Sequence, residues 1–96
     1  MVEVVQYETA EGACPFADWF ERLEARAAGK VRTAIARIEL GNLGDVKPVG
    51  RGVSERRIDF GPGYRVYFAM DGQRLVILLL GGTKKGQQRD IAQAQA

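Results

Sequence analysis

Between residues 53 and 80 the chain carries three β-prone runs separated by two turn signals, and this pattern constrains the fold more than any other. VSERRIDF (53–60) leads through Gly61-Pro62-Gly63-Tyr64 into YRVYFAM (64–70), and Asp71-Gly72 leads on into RLVILLL (74–80). Proline second and glycine third in GPGY match a type II turn, and Asp-Gly is a strong hairpin signal. Strands joined this tightly run antiparallel. RLVILLL is apolar almost throughout, as expected of a strand covered on both faces.

Upstream, VEVVQYE (2–8) is β-branched and aromatic with rough alternation, and predicts a first strand. In the following stretch Phe16, Trp19, Phe20, Leu23 and Ala27 share one helical face, Pro15 suits a first helical position, and Asp18 and Glu21 place negative charge in the early turns. Gly29 is expected to break or bend this helix. Residues 30–41 repeat the helical period with Val31, Ala34, Ile35 and Ile38, which gives a helical hairpin. GNLGDVKPVGRG (41–52) reads as a long loop, and the tail from residue 83 as a short or frayed helix. The order β-α-α-β-β-β-(α) predicts a single α+β domain over residues 1–96, with the helical hairpin on one face of a mostly antiparallel sheet. The other face then meets water or carries a site.

Composition narrows the chemistry. With no histidine, a Ser-His-Asp triad and any histidine-bearing metal site are excluded. Cys14 is the single cysteine, so no intrachain disulfide forms, and near the start of an apolar helix it reads as packing. No metal or cofactor is expected. The first residues lack a basic start and a long apolar run, and no segment is long enough to cross a bilayer, which reads as a cytoplasmic protein without membrane contact. The net charge is +2, yet residues 1–30 hold six acids and three bases, whereas residues 47–89 hold nine bases and three acids. Such asymmetry points to an anionic partner for the second half, or to an ordinary solvated basic surface.

Side chains alternate along a strand. In VSERRIDF, Ser54, Arg56, Ile58 and Phe60 form the set facing the helices, with Val53, Glu55, Arg57 and Asp59 opposite. In YRVYFAM, Tyr64, Val66, Phe68 and Met70 face the helices, with Arg65, Tyr67 and Ala69 opposite. Glu55, Arg57, Arg65 and Tyr67 therefore come to one face, with Lys84 and Lys85 emerging at its end. Two arginines beside a tyrosine can clamp a phosphodiester and stack on a base. The plainer alternative is a cross-strand ion pair of Glu55 with Arg65 or Arg57.

FADWFERL, GNLGDVKPVGRGVSERRIDFGPGYRVYF and LLLGGTKKGQQRDIAQA together resemble the RelE/ParE superfamily of type II toxin–antitoxin toxins, nearest the HigB-like addiction module killer or phage Gp49-like branch, over nearly the whole chain. The resemblance implies a small toxin restrained by a cognate antitoxin encoded beside it, typically a helix-turn-helix protein. It also implies a ribosome-dependent mRNA endoribonuclease, with mRNA and the ribosome as partners. A ParE-like inhibitor of DNA gyrase on the same scaffold, or a catalytically inert antitoxin-binding relative, are the alternatives. Carried over residue by residue, Arg57, Arg65 and Lys84 are catalytic candidates and Tyr67 a nearby stacking residue; Lys85, Arg89 and Arg51 are further RNA-binding candidates, and in the absence of histidine Glu55 joins the catalytic set as a candidate base. Asp90 is a second candidate base. The sequence departs from the family pattern in two places: Asp90 and Ile91 stand where several relatives carry tyrosine or histidine, and Arg56 occupies a position where an apolar residue is expected.

Overall fold

The computed structural model describes residues 2–96. Strand β1 (Glu3–Gln6) precedes helices α1 (Pro15–Glu21) and α2 (Ala25–Glu39). Strands β2 (Val46–Gly50), β3 (Val53–Ile58), β4 (Tyr64–Asp71) and β5 (Leu75–Thr83) follow. A 3₁₀ turn at Lys84–Gly86 leads into α3 (Gln87–Gln95). The five strands form one sheet in the order β1-β5-β4-β3-β2, in which only β1 and β5 pair in parallel. The α+β class and the mostly antiparallel sheet are as expected. Among the described residues no helix is long and apolar enough to cross a membrane.

Three local expectations are corrected. The helical hairpin turns at residues 22–24, not at Gly29, which lies inside α2. Glu24 is extended (φ −64°, ψ 160°), and its carbonyl accepts the first α2 hydrogen bond from the Ala28 N–H at 2.9 Å. No strong breaker stands at 22–24. Both helices bury an apolar face: Phe16 of α1 and the α2 stripe Ala27, Val31, Ala34 and Ile38 are all buried. The second correction is β2, which lies within the stretch read as loop. Pro48 is tolerated because β2 is an edge strand, and a register shift between Pro48 and Gly50 accommodates it. The third is the tail, whose helix spans nine residues and packs on the sheet.

Two apolar cores result. Between the sheet and the α1–α2 hairpin lie Phe16, Val31, Ile38, Ile58, Val66, Phe68, Val76 and Leu78. On the opposite face Val53, Tyr67 and Leu80 pack with Ile91 and Ala94 of α3. The face expected to be open is thus roofed by α3, and the domain has three layers. A bulge in β5 makes this possible. Tyr67 pairs with Leu80 and Phe68 with Leu78, so Leu79 is an extra residue and the alternation flips there. Before the bulge Val76 and Leu78 face the hairpin; after it Leu80 faces α3.

The flip assigns the Gly81-Gly82 pair to opposite faces. A Cβ on Gly81 would lie 2.1 Å from the Trp19 ring, and one on Gly82 2.0 Å from the Asp90 carboxylate. Neither glycine has a positive φ, so close approach of α1 and α3 to the backbone, not turn geometry, excludes a side chain at both. Arg56, unexpected on the hairpin side, folds under the 42–45 loop and donates to the Arg57 carbonyl. Gly44 gives it room, since a Cβ there would meet the guanidinium at 2.7 Å. Burial lowers the Arg56 pKa, with nearby Asp45 opposing and Arg37 adding to the shift.

Candidate functional site

The hairpin register places Glu55 opposite Tyr67 and Arg57 opposite Arg65, so all four do share the face away from the α1–α2 hairpin. They do not form an open clamp. Glu55 and Tyr67 have no solvent exposure, and Arg65 is buried at 8%. Arg65 Nη1 donates to Glu55 Oε1 at 3.3 Å, and Gln87 Nε2 of α3 donates to the other carboxylate oxygen at 2.8 Å. The plainer alternative, a cross-strand Glu55–Arg65 pair, is therefore what the fold contains. Arg57 leans the other way, toward the β2 side. Its Nη2 donates to Asp45 Oδ1 at 2.8 Å and its N–H to the Asp45 carbonyl at 2.9 Å. Asp45 accordingly raises the Arg57 pKa. The expectation of two arginines converging on a wet surface is corrected: α3 supplies Ile91 and Ala94 to cover Val53, Tyr67 and Leu80, and its first residue seals the polar end.

The sealed cluster is strained electrostatically. Tyr67 Oη and Arg65 Nε are buried without a hydrogen-bond partner among the described residues. Burial raises the Tyr67 pKa, and the negative charges of Glu55 and Asp90 raise it further. Asp90 is itself buried at 8%, and burial raises its pKa against the opposing charge of Arg89, whose Nε lies 3.9 Å from Asp90 Oδ1. A carboxyl so placed is a better proton acceptor than an ordinary aspartate.

Beside this cluster a groove of about 1040 Å³ runs along the end of β5. Its floor is Leu80–Thr83. One wall is α1 with Asp18, Trp19 and Arg22; the other is the 3₁₀ turn and α3 with Lys84, Lys85, Arg89 and Asp90. Four cations face two carboxylates there, and Lys84, Lys85 and Arg89 are exposed. Lys84 is fixed at the GPG turn by a bond from its N–H to the Gly63 carbonyl at 2.9 Å.

These geometries accompany a clear relationship. The family described as "Phage derived protein Gp49-like (DUF891)" matches residues 18–95. The chain belongs to the Gp49-like family. It is also 47% identical over 81 residues to a Haemophilus influenzae protein named only "Uncharacterized protein", an alignment covering 83% of this chain and 82% of the relative. The Gp49-like match begins in α1 and runs through α3, so it includes all four groove cations.

In this Gp49-like chain the site residues read from sequence divide into three places. Lys84, Lys85 and Arg89 come together in the groove. Glu55, Arg65 and Tyr67 lie beneath the start of α3. Arg57 stands outside, tied to Asp45. Arg51 is exposed in the β2–β3 turn (φ 55°), at the opposite end of β3 from the Lys84 end of the sheet, and joins none of these groups. Sequence reasoning passed over Arg22, Gln87 and the α1 wall. The signal that points to them is the glycine pair ahead of Thr83-Lys84-Lys85, since two glycines in a strand mark close approach by neighbours on both faces.

Proposed function

We propose that this Gp49-like protein is the toxin of a type II toxin–antitoxin system, of the HigB-like branch of the RelE/ParE superfamily, and that it cuts mRNA on the ribosome. The observation that supports this reading is the cationic groove at the end of β5, with Lys84, Lys85, Arg89 and Arg22 lining one channel beside a buried, proton-accepting carboxyl at Asp90. A phosphate chain is the natural polymer for such a channel.

In the proposed reaction the ribose 2′-oxygen attacks the adjacent 3′ phosphorus. The new O–P bond forms as the bond to the 5′-oxygen of the next nucleotide breaks. Asp90 accepts the 2′-hydroxyl proton, and Lys84 gives a proton to the leaving 5′-oxygen. The lysines and Arg89 stabilise charge developing on the phosphate, a role whose removal typically costs about a hundredfold to a thousandfold in rate per donor. Arg65 acts from behind, holding Glu55 and Gln87 and so the start of α3.

Purified ribosomes with a defined transcript test the reading. Wild-type protein should cut the transcript only when it is translated, and a Lys84→Ala/Lys85→Ala/Arg89→Ala variant should fail to do so while staying folded. An intact transcript with wild-type protein, or full cutting by the triple variant, sinks the proposal. One observation favours the gyrase-inhibitor alternative: Arg57 and Arg65 are each engaged by a carboxylate and form no open clamp. Induced expression separates the two, by cleaved transcripts and halted translation on one side and DNA damage with stalled replication on the other.

A further inference from the structure

The sheet ends in two outer strands, and they are built differently. Strand β2 carries Lys47-Pro48, a charge and a missing N–H that hinder the addition of another strand. Strand β1 reads Glu3-Val4-Val5-Gln6 and has neither lysine nor proline. The Glu3 and Tyr7 N–H groups bond to the β5 carbonyls of Arg74 and Leu78 at 2.7 and 2.8 Å. Backbone groups alternate in direction along a strand, so the N–H and C=O of Val4 and Gln6 turn outward. The outward N–H of Val2, one step earlier, is taken by the Glu39 carbonyl at 2.9 Å. No backbone partner takes the outward groups of Val4 and Gln6 among the described residues. Val4 is only half-buried and Gln6 is exposed, so this edge is within reach of another backbone.

The helical layer beside this edge complements itself. Helix α2 runs back along β1 and ends where Glu39 meets Val2. Next to the edge, Arg32, Ile35, Ala36 and Glu39 line a shallow groove of about 350 Å³ together with Val4 and Phe20. Arg32, Ala36 and Glu39 are exposed and Ile35 is half-buried. The Arg32 guanidinium lies 5.5 Å from the centre of the Phe20 ring. Neither Arg32 nor Glu39 has an ion-pair partner among the described residues. The two charges stand about two helical turns apart, with Ile35 and Ala36 midway between them. A two-fold axis between Ile35 and Ala36 sets Arg32 of each copy against Glu39 of the other, over an apolar centre. The same axis at Val5 sets Val4 of each copy opposite Gln6 of the other, and each such pair can exchange both of its N–H···O bonds. This register uses the two residues whose outward groups are free. It also brings Glu3 opposite the exposed Tyr7 and not opposite another carboxylate.

We propose that β1 and the Arg32–Glu39 flank of α2 form the interface of a two-fold dimer, in which antiparallel β1 strands join the two sheets into one. Backbone bonds across the axis and burial of Ile35, Ala36 and Phe20 supply the affinity, and the reciprocal Arg32–Glu39 pairs fix the register. The charges select a second copy as the occupant. A partner of one sign would meet a like charge at Arg32 or at Glu39, whereas a copy turned about the axis meets an opposite charge at both. The interface leaves Lys84, Lys85 and Arg89 free, so the inference goes beyond the RNA reading and does not need it.

The test uses the full chain without ribosomes or RNA. Sedimentation velocity across micromolar to millimolar protein should show a monomer passing into a dimer. Over the same range the Val4 and Gln6 amides should gain protection from hydrogen exchange, while those of Glu3 and Tyr7 are protected throughout. Arg32→Glu alone and Glu39→Arg alone should each weaken the dimer about tenfold, since both reciprocal pairs become like-charge contacts. An equal mixture of the two variants should recover wild-type affinity, because every contact between unlike copies then joins opposite charges. The Arg32→Glu/Glu39→Arg double variant should recover it as well. A chain that stays monomeric at millimolar concentration overturns the proposal and leaves the edge to some other protein. A dimer without protection of Val4 and Gln6, or one with no recovery on mixing, places the contact elsewhere and overturns it too. If a charge variant fails to fold, exchange at Val4 and Gln6 of the wild type decides. Failure of the ribosome assay removes the RNA reading alone, and failure here removes only the dimer.

Discussion

Replacing Arg65 with methionine isolates the buried ion pair between Arg65 and Glu55. The substitution keeps an unbranched apolar stem but removes the guanidinium, leaving Glu55, which has no solvent exposure, with Gln87 Nε2 as its remaining donor. Breaking a buried pair by removing one member costs about 3–5 kcal/mol, because the surviving charge stays desolvated. A domain of this size is stable by about 5–15 kcal/mol in total. With a urea m-value of about 1.5 kcal/mol/M, the loss appears as a fall of about 2–3 M in the unfolding midpoint. Glu55→Gln/Arg65→Met, which removes both charges, should recover most of that loss, since replacing a whole buried pair is often close to neutral. The measurement is urea unfolding followed by circular dichroism on wild type, both single variants and the double variant, analysed as a cycle. A midpoint shift below about 0.5 M for Arg65→Met, or a double variant no more stable than the single, refutes the reasoning. A variant too unstable to purify leaves the double variant as the deciding measurement. It follows that loss of any activity in an Arg65 variant reports folding unless the protein is shown to be intact.

Asp90 gives a pH signature. Its folded pKa is raised by burial, so the native state holds the proton more tightly than the unfolded chain does. Its contribution to stability is full below the ordinary aspartate value of about 3.9, declines as pH rises through the folded pKa, and is flat above it. Asp90→Asn should remove this decline, and the difference in urea midpoint from wild type should grow with pH and favour the variant at pH 7; a pH-independent difference contradicts the assignment. Gly81→Ala drives a methyl group into the Trp19 ring and should cost about 1–3 kcal/mol or more, partly restored by Trp19→Leu, as thermal unfolding of the three variants will show. Gly29→Ala, inside α2 with open space around a new Cβ, should stabilise by about 0.5–1 kcal/mol, and a lowered Tm would count against the helix placement.

Much of this arrangement is legible in the residues. The GPG and Asp-Gly turns placed the β3–β4–β5 hairpins, and period-two alternation put Glu55, Arg57, Arg65 and Tyr67 on one face. The roof over that face was also written, in RLVILLL: a strand apolar on both sides needs cover on both sides, and Ile91 and Ala94 in the tail are what cover it. The helix turn at 22–24 was not legible, because no residue there is a strong helix breaker and the apolar i+3/i+4 spacing runs straight through it. Strand β2 was masked by Pro48 and its flanking glycines, which are loop residues except on a sheet edge. The destination of Arg57 depended on Asp45, twelve residues away in the chain, and pairing preferences alone cannot choose between Asp45 and Glu55.

The parallel pairing of the first strand with the last has a consequence for biogenesis. Glu3 faces Leu75, 72 positions later, so β1 has no partner until β5 has been synthesised. At about 5–20 residues per second that interval is about 4–14 s. Throughout it the helices and the first β-hairpins can form on the nascent chain, but the sheet lacks its closing strand and the groove lacks its floor. The protein thus assembles its site last, after the ribosome making it has translated nearly all of the region that pairs.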